Sequence, residues 1–192
     1  VEENTSTEAR EAVITLSYTG AVSKTVTVKQ AAAESSEPET PGVEGTYYVK
    51  VTSAPTDWSG TYLIVYEDGK VAFNGALTTL DAASNTVNVN ISGDKIKADD
   101  ETKAASFTIN ASGHIQSASG YYIGQTSNTN GLKSNTTTTY ENTLSLNSDG
   151  TVNIVSGGAY LRYNATSGQK RFRYYKSSSY TGQKAIALYK LQ

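Results

Sequence analysis

Ser119-Gly120-Tyr121-Tyr122-Ile123 is the stretch that decides how this chain folds, because two others repeat it: Ser59-Gly60-Thr61-Tyr62-Leu63 and Gly157-Gly158-Ala159-Tyr160-Leu161. Each couples a tight turn to an aromatic and aliphatic strand start. A signature recurring three times marks an internal repeat, and repeats constrain architecture. The second and third copies agree further. Ser106-Phe107-Thr108-Ile109-Asn110-Ala111-Ser112-Gly113-His114-Ile115 aligns with Thr143-Leu144-Ser145-Leu146-Asn147-Ser148-Asp149-Gly150-Thr151-Val152. Both keep two alternating apolar residues, an Asn, a turn Gly and a second strand start, the period-two mark of strands with one buried face. Ser-Gly and Asp-Gly supply the positive φ of a tight hairpin. Tyr62 to Tyr122 spans 60 residues and Tyr122 to Tyr160 only 38, so the first copy carries an insertion, placed around residues 85 to 90.

Fourteen short strands are expected between residues 48 and 189, with Gly, Asn, Asp or Ser in nearly every gap. Strands so short and regular indicate a barrel or sandwich. Threefold recurrence, with a first strand at Tyr48-Val49-Lys50-Val51 able to pair with Ile186-Ala187-Leu188-Tyr189, favours a β-trefoil. The expected fold is therefore all-β, a pseudo-threefold, β-trefoil-like closed domain over residues 47 to 192. Upstream, residues 11 to 18 and 23 to 30 read as a β-hairpin about a Thr19-Gly20 turn. Two strands are marginal by themselves and need a partner. Residues 34 to 46 hold Pro38 and Pro41 with Glu34, Glu37, Glu39 and Glu44, which reads as a semi-extended linker.

Composition bounds the class. Charged residues make up only 18% and long aliphatics are few, which argues against helical bundles. Fourteen Tyr against three Phe gives aromatic surface with a polar tip, as in secreted β proteins that contact sugars or other proteins. Zero cysteines exclude disulfides, thiolate nucleophiles and Cys-ligated zinc. There is no Met at position 1 or elsewhere, so the chain is read as a mature product or a piece of something longer.

Two resemblances attach to these residues. Asn4 to Arg10, the apolar strand 12 to 16 and the closing Thr25-Val26-Thr27-Val28-Lys29-Gln30 resemble the end of a BACON domain, an immunoglobulin-like sandwich of bacterial surface and carbohydrate-active proteins. This implies a partial BACON-like hairpin over 1 to 33 and, by the family's company, carbohydrate or mucin binding. Residues 47 to 192 resemble ricin-B and fascin-like trefoils, although the Gln-x-Trp triplet of ricin-type lectins is absent.

No catalytic constellation emerges. His114 is the sole histidine and heads a strand after a turn glycine; Asp68-Gly69, Gly93-Asp94 and Asp149-Gly150 are turns; Asp99-Asp100-Glu101 lacks the glycine and spacing of a calcium loop. No phosphate loop exists. The reading is thus no enzyme, no catalytic residue, no metal and no cofactor.

Charge is uneven. Seven of the sixteen basic residues follow Asp149 and no acid does. In Lys170-Arg171-Phe172-Arg173-Tyr174-Tyr175-Lys176 the period of two sets Arg171, Arg173 and Tyr175 on one face. The expected ligand site is Arg162, Tyr163, Arg171, Arg173 and Tyr175, with Trp58 from the first copy, since aromatic faces stack on sugar rings and guanidinium groups fork onto acidic groups. The expected function is a non-catalytic, secreted or cell-surface bacterial binding and adhesion module for a glycan or glycoprotein, with acidic glycans favoured. Alternatives are a nucleic-acid-binding accessory domain of a secreted nuclease, some of which show a similar Leu188-Tyr189-Lys190 ending, a secreted glycosidase, or a ligand-free spacer.

Overall fold

The computed structural model describes residues 8–20, 22–30 and 45–192. They are 45% strand and 5% helix, so the chain is all-β. The chain divides into two compact units, Val1–Glu44 and Gly45–Gln192. The expected linker at 34 to 46 lies outside the described residues except for its last two, and so does the start of the BACON-like stretch.

The first unit is an antiparallel hairpin of β1 (Arg10–Leu16) and β2 (Lys24–Gln30), with Gly20 at φ 87° in its turn. The register pairs Ala12 with Val28 and Ile14 with Val26, which puts the apolar side chains on one face. That face is exposed, Ile14 at 51% and Leu16 at 62%.

The second unit runs β3 (Tyr47–Lys50), β4 (Gly60–Tyr66), β5 (Val71–Phe73), β6 (Thr86–Asn88), β7 (Ile91–Ser92), β8 (Lys95–Lys97), helix α1 (Asp100–Ala104), β9 (Phe107–Ile109), β10 (Ile115–Ser117), β11 (Tyr122–Gly124) and β12 (Lys133–Asn135). It continues through β13 (Thr143–Leu146), β14 (Val152–Ser156), β15 (Ala159–Asn164), β16 (Arg171–Lys176), a 3-10 turn (Tyr180–Gly182) and β17 (Ala187–Leu191). The second and third copies fold alike, as the antiparallel meanders β9-β10-β11-β12 and β13-β14-β15-β16. Their first turns match bond for bond: the amides of Gly113 and Gly150 donate to the carbonyls of Asn110 and Asn147, with φ 75° and 80° at the glycines.

The ladders form open sheets. One runs β12-β11-β10-β9-β4-β17-β3-β8-β7 with β5 and β6 branching from β4, and the third copy is a sheet of its own. The closed domain expected from the repeats is therefore not what the ladders make. Isolated bridges, Gly131 to Tyr174 and Val152 to Ile186, tie the sheets together instead. The last strand β17 does pair with the first strand β3, through Tyr189–Lys50, Lys190–Val49 and Leu191–Tyr48, and inserts between β3 and β4.

The signature tyrosines do not occupy equivalent environments. Tyr62 is fully buried, whereas Tyr122 and Tyr160 are half-buried and their neighbours Ile123 and Leu161 enter the main core. The cause is phase. The core side chain Tyr62 stands two positions after Gly60, whereas Ile123 and Leu161 stand three positions after Gly120 and Gly158, and one residue of offset swaps faces. β4 tolerates this because both of its faces are covered. Tyr62 and Ile64 enter the main core, while Leu63 and Val65 enter a second cluster with Ile96, Ala105 and Tyr189. The extra length of the first copy is spent on β7, β8 and α1, just beyond residues 85 to 90, and Ile91, Ile96 and Ala105 close that second cluster.

Helix α1 is an element the period-two reading passes over. Asp99 caps it, its Oδ1 accepting from the amide and the hydroxyl of Thr102 at 2.9 Å each. The acidic run Asp99-Asp100-Glu101 is thus a capped first turn.

Candidate functional site

Three segments, one from each repeat, converge on a cleft of about 310 Å³. From the loop between β3 and β4 come Thr56, Asp57 and Trp58. Asp57 Oδ1 accepts from the Ser59 amide and hydroxyl, both 2.9 Å, a side-chain turn that fixes the backbone on either side of Trp58. From the β9–β10 turn come Asn110 and Ser112. Asn110 Oδ1 takes the amides of Ser112 and His114 at 3.0 and 2.9 Å. From the start of β13 come Thr143 and Leu144. Gly113 lets the last two approach, because a Cβ there would meet the Asn142 carbonyl oxygen at 2.2 Å.

Trp58 packs against the main core, is half-buried and lines the cleft. Asp57 is the single carboxylate among the lining side chains. The Ser59 amide and hydroxyl hold it below the ordinary carboxylate range, aided by the charge of Lys190, so it is ionised at neutral pH. Its Oδ2 is bonded by no described group, and neither are the hydroxyls of Thr56, Ser112 and Thr143. The cleft thus offers an aromatic face, a fixed acceptor and rotatable hydroxyls.

The other expected site residues lie on the third repeat and do not form one surface. The β15–β16 register pairs Tyr160 with Tyr175, Arg162 with Arg173, Asn164 with Arg171, and Tyr163 with Phe172. Tyr163 therefore faces the core, 5% exposed and stacked on Tyr66 at 4.8 Å, away from the arginines. Arg162 is buried as well. Its guanidinium donates to the carbonyls of Leu161 and Val152 and to Asn153 Oδ1, and lies 5.0 Å from the Tyr180 ring. Burial pulls its pKa down, with the rings of Tyr180 and Tyr160 opposing. Arg173 is tied to Asp81, Nε to Oδ1 at 2.9 Å and Nη2 to Oδ2 at 3.0 Å. Tyr175 is 6% exposed, and Arg171 bonds Gln169 through its carbonyl and Oε1. What period two could not show is what covers this face: the 3-10 turn lays Tyr180 flat on Tyr160, rings 3.9 Å apart. Of the five side chains, Arg162, Tyr163 and Tyr175 are buried and Arg173 is ion-paired.

His114 Nδ1 lies 3.3 Å from Asn110 Nδ2, and its ring meets the edge of Tyr122. Among the described residues no three His, Cys, Asp or Glu side chains group as a metal site. Among the described residues no helix is long and apolar enough to cross a membrane. Comparison with protein-family models, with curated proteins and with solved structures gave no match.

Proposed function

We propose that residues 45 to 192 form a non-catalytic glycan-binding domain that seats a sugar ring on Trp58. The single observation behind this reading is the cleft: the only tryptophan of the chain stands half-buried beside Asp57 and unbonded hydroxyls where three repeats meet. The C–H face of a pyranose is apolar enough to cover indole, and its hydroxyls find one acceptor and several donors at the rim. Acidic glycans on the third repeat are the weaker assignment, since Arg162 and Arg173 already have internal partners. The matched meanders of the second and third repeats support a trefoil-like relation among the copies. With the BACON-like residues 4 to 30, they support a bacterial surface or secreted setting.

A glycan array read with the wild-type chain and with Trp58→Ala tests this. Saturable binding to a glycan should fall at least about tenfold in Trp58→Ala, a loss of about 1.4 kcal/mol, in a variant that still unfolds cooperatively above the assay temperature although its lost packing on the main core lowers the melting temperature. Turnover of a glycan that disappears in Asp57→Asn would make the protein a glycosidase instead. Binding to single-stranded nucleic acid that survives Trp58→Ala would favour the accessory-domain reading. Absence of any saturable ligand would leave a spacer.

A further inference from the structure

Residues 49 to 53, Pro55, Tyr62, Lys190 and Gln192 line a second cavity, of about 220 Å³, whose chemistry differs from that of the cleft. Antiparallel pairing places Lys190 opposite Tyr62 on β4 and opposite Val49 on β3, so all three project from one face of the sheet at the end of the main core. Val49, Val51 and Pro55 form apolar walls, Thr52 and Ser53 supply hydroxyls, and no Asp or Glu lines it. Lys50 also lines it, but its ammonium is committed to Glu67 at 2.8 Å.

Two of the residues that line this cavity, Lys190 and Tyr62, carry donors without an acceptor. The Lys190 stem lies where a side chain on residue 60 would be: a Cβ on Gly60 would meet Lys190 Cε at 2.7 Å. Its Nζ stands 5.6 Å from the centre of the Tyr62 ring, and no described carboxylate comes within ion-pair distance of it. The Tyr62 hydroxyl is buried and has no hydrogen-bond partner among the described groups. Burial, and then the Asp57 charge, push that hydroxyl above the ordinary tyrosine value, so it stays a donor. A buried hydroxyl without a partner is a standing cost that an acceptor entering the cavity would remove.

We propose that this cavity is an oxyanion subsite, in which a carboxylate or sulfate accepts from the Lys190 ammonium and the Tyr62 hydroxyl between the apolar walls. An ammonium is a point charge with three donors and suits either anion. The anion reaches the cavity free in solution or carried on an acidic sugar.

The test is titration of the full isotope-labelled chain, followed by amide NMR, with sulfate, glucuronate and glucose at constant ionic strength. Saturable shifts at residues 49 to 53 and at Lys190 are expected with an anionic ligand and not with glucose. Lys190→Met should abolish them. Tyr62→Phe, which removes only an unpaired hydroxyl, should keep the fold and weaken the anion several-fold. Sulfate binding identifies a free oxyanion, and response to glucuronate alone identifies a sugar-borne one. Glucuronate binding that depends on Trp58 but is indifferent to Lys190→Met overturns the subsite and spares the glycan reading. Sulfate binding lost in Lys190→Met, with no glycan bound, supports the subsite against that reading. No saturable shift with either anion overturns it.

Discussion

Asn85 and Asn142 are fully or almost fully buried, and each replaces a stretch of ladder. Asn85 Nδ2 donates to the carbonyls of Leu80 and Phe172 at 2.7 and 2.9 Å, and its Oδ1 accepts the Phe172 amide at 2.8 Å, stitching the first repeat to the third. Asn142 donates to the Ile123 and Tyr140 carbonyls and accepts the Tyr174 hydroxyl at 2.6 Å. Asn85→Ala strands three buried backbone groups and should cost roughly 3 kcal/mol, read as a lower denaturant midpoint at unchanged slope. A midpoint equal to wild type would mean that water takes the amide's place. Neither residue was legible as a staple, because an Asn in a Ser/Thr-rich gap looks like any turn residue until its partner, 87 positions away for Asn85 and Phe172, is known.

At the scale of elements, the outer face of β15 and β16 shows how pattern and environment diverge. Alternation places Arg171, Arg173 and Tyr175 together, and the register agrees. Their environments differ because Asp81, 92 residues upstream, meets Arg173, and the 3-10 turn covers Tyr160 and Arg162. Arg173→Ala should therefore cost about 1 kcal/mol, the upper end for a partly exposed pair. Arg171→Ala, whose side chain bonds only its neighbour Gln169, should stay within about 0.5 kcal/mol. Chemical denaturation of both variants checks this, and equal losses would argue that the Arg173–Asp81 pair contributes nothing. Helix α1 carries a related lesson. Its signal, Asp99 three residues before Thr102 with an acidic first turn, is present in the sequence, but five residues are too few for helical periodicity to register.

At the scale of the molecule, titration brackets stability from both sides. Asp57, Asp99 and Asp149 accept hydrogen bonds from nearby amides and hydroxyls that hold their pKa values below the ordinary range. Their contribution is complete above the unfolded carboxylate value of about 3.9 and is lost as pH falls through the folded values. Burial pushes the hydroxyls of Tyr174 and Tyr189 up, Tyr189 further through the Glu67 carboxylate it bonds at 2.6 Å. The unfolded state then loses protons first, and stability declines as pH climbs above about 10. Melting temperature should be level between these limits and fall on both flanks, with the alkaline flank shallower in Tyr189→Phe; a curve still flat at pH 11, against the ordinary tyrosine value of about 10, would contradict the assignment. The all-β class, the hairpin, the matched turns of the second and third repeats and the pairing of first and last strands follow from turn glycines and period-two alternation, which are local rules. Tertiary structure alone decided that the sheets stay open, that Tyr62 enters the core one residue out of phase with its counterparts, that the arginines of the third repeat are internally satisfied, and that Trp58 meets Asn110 and Thr143 in one cleft. Each of those depends on contacts between distant segments, whose partners no local pattern names.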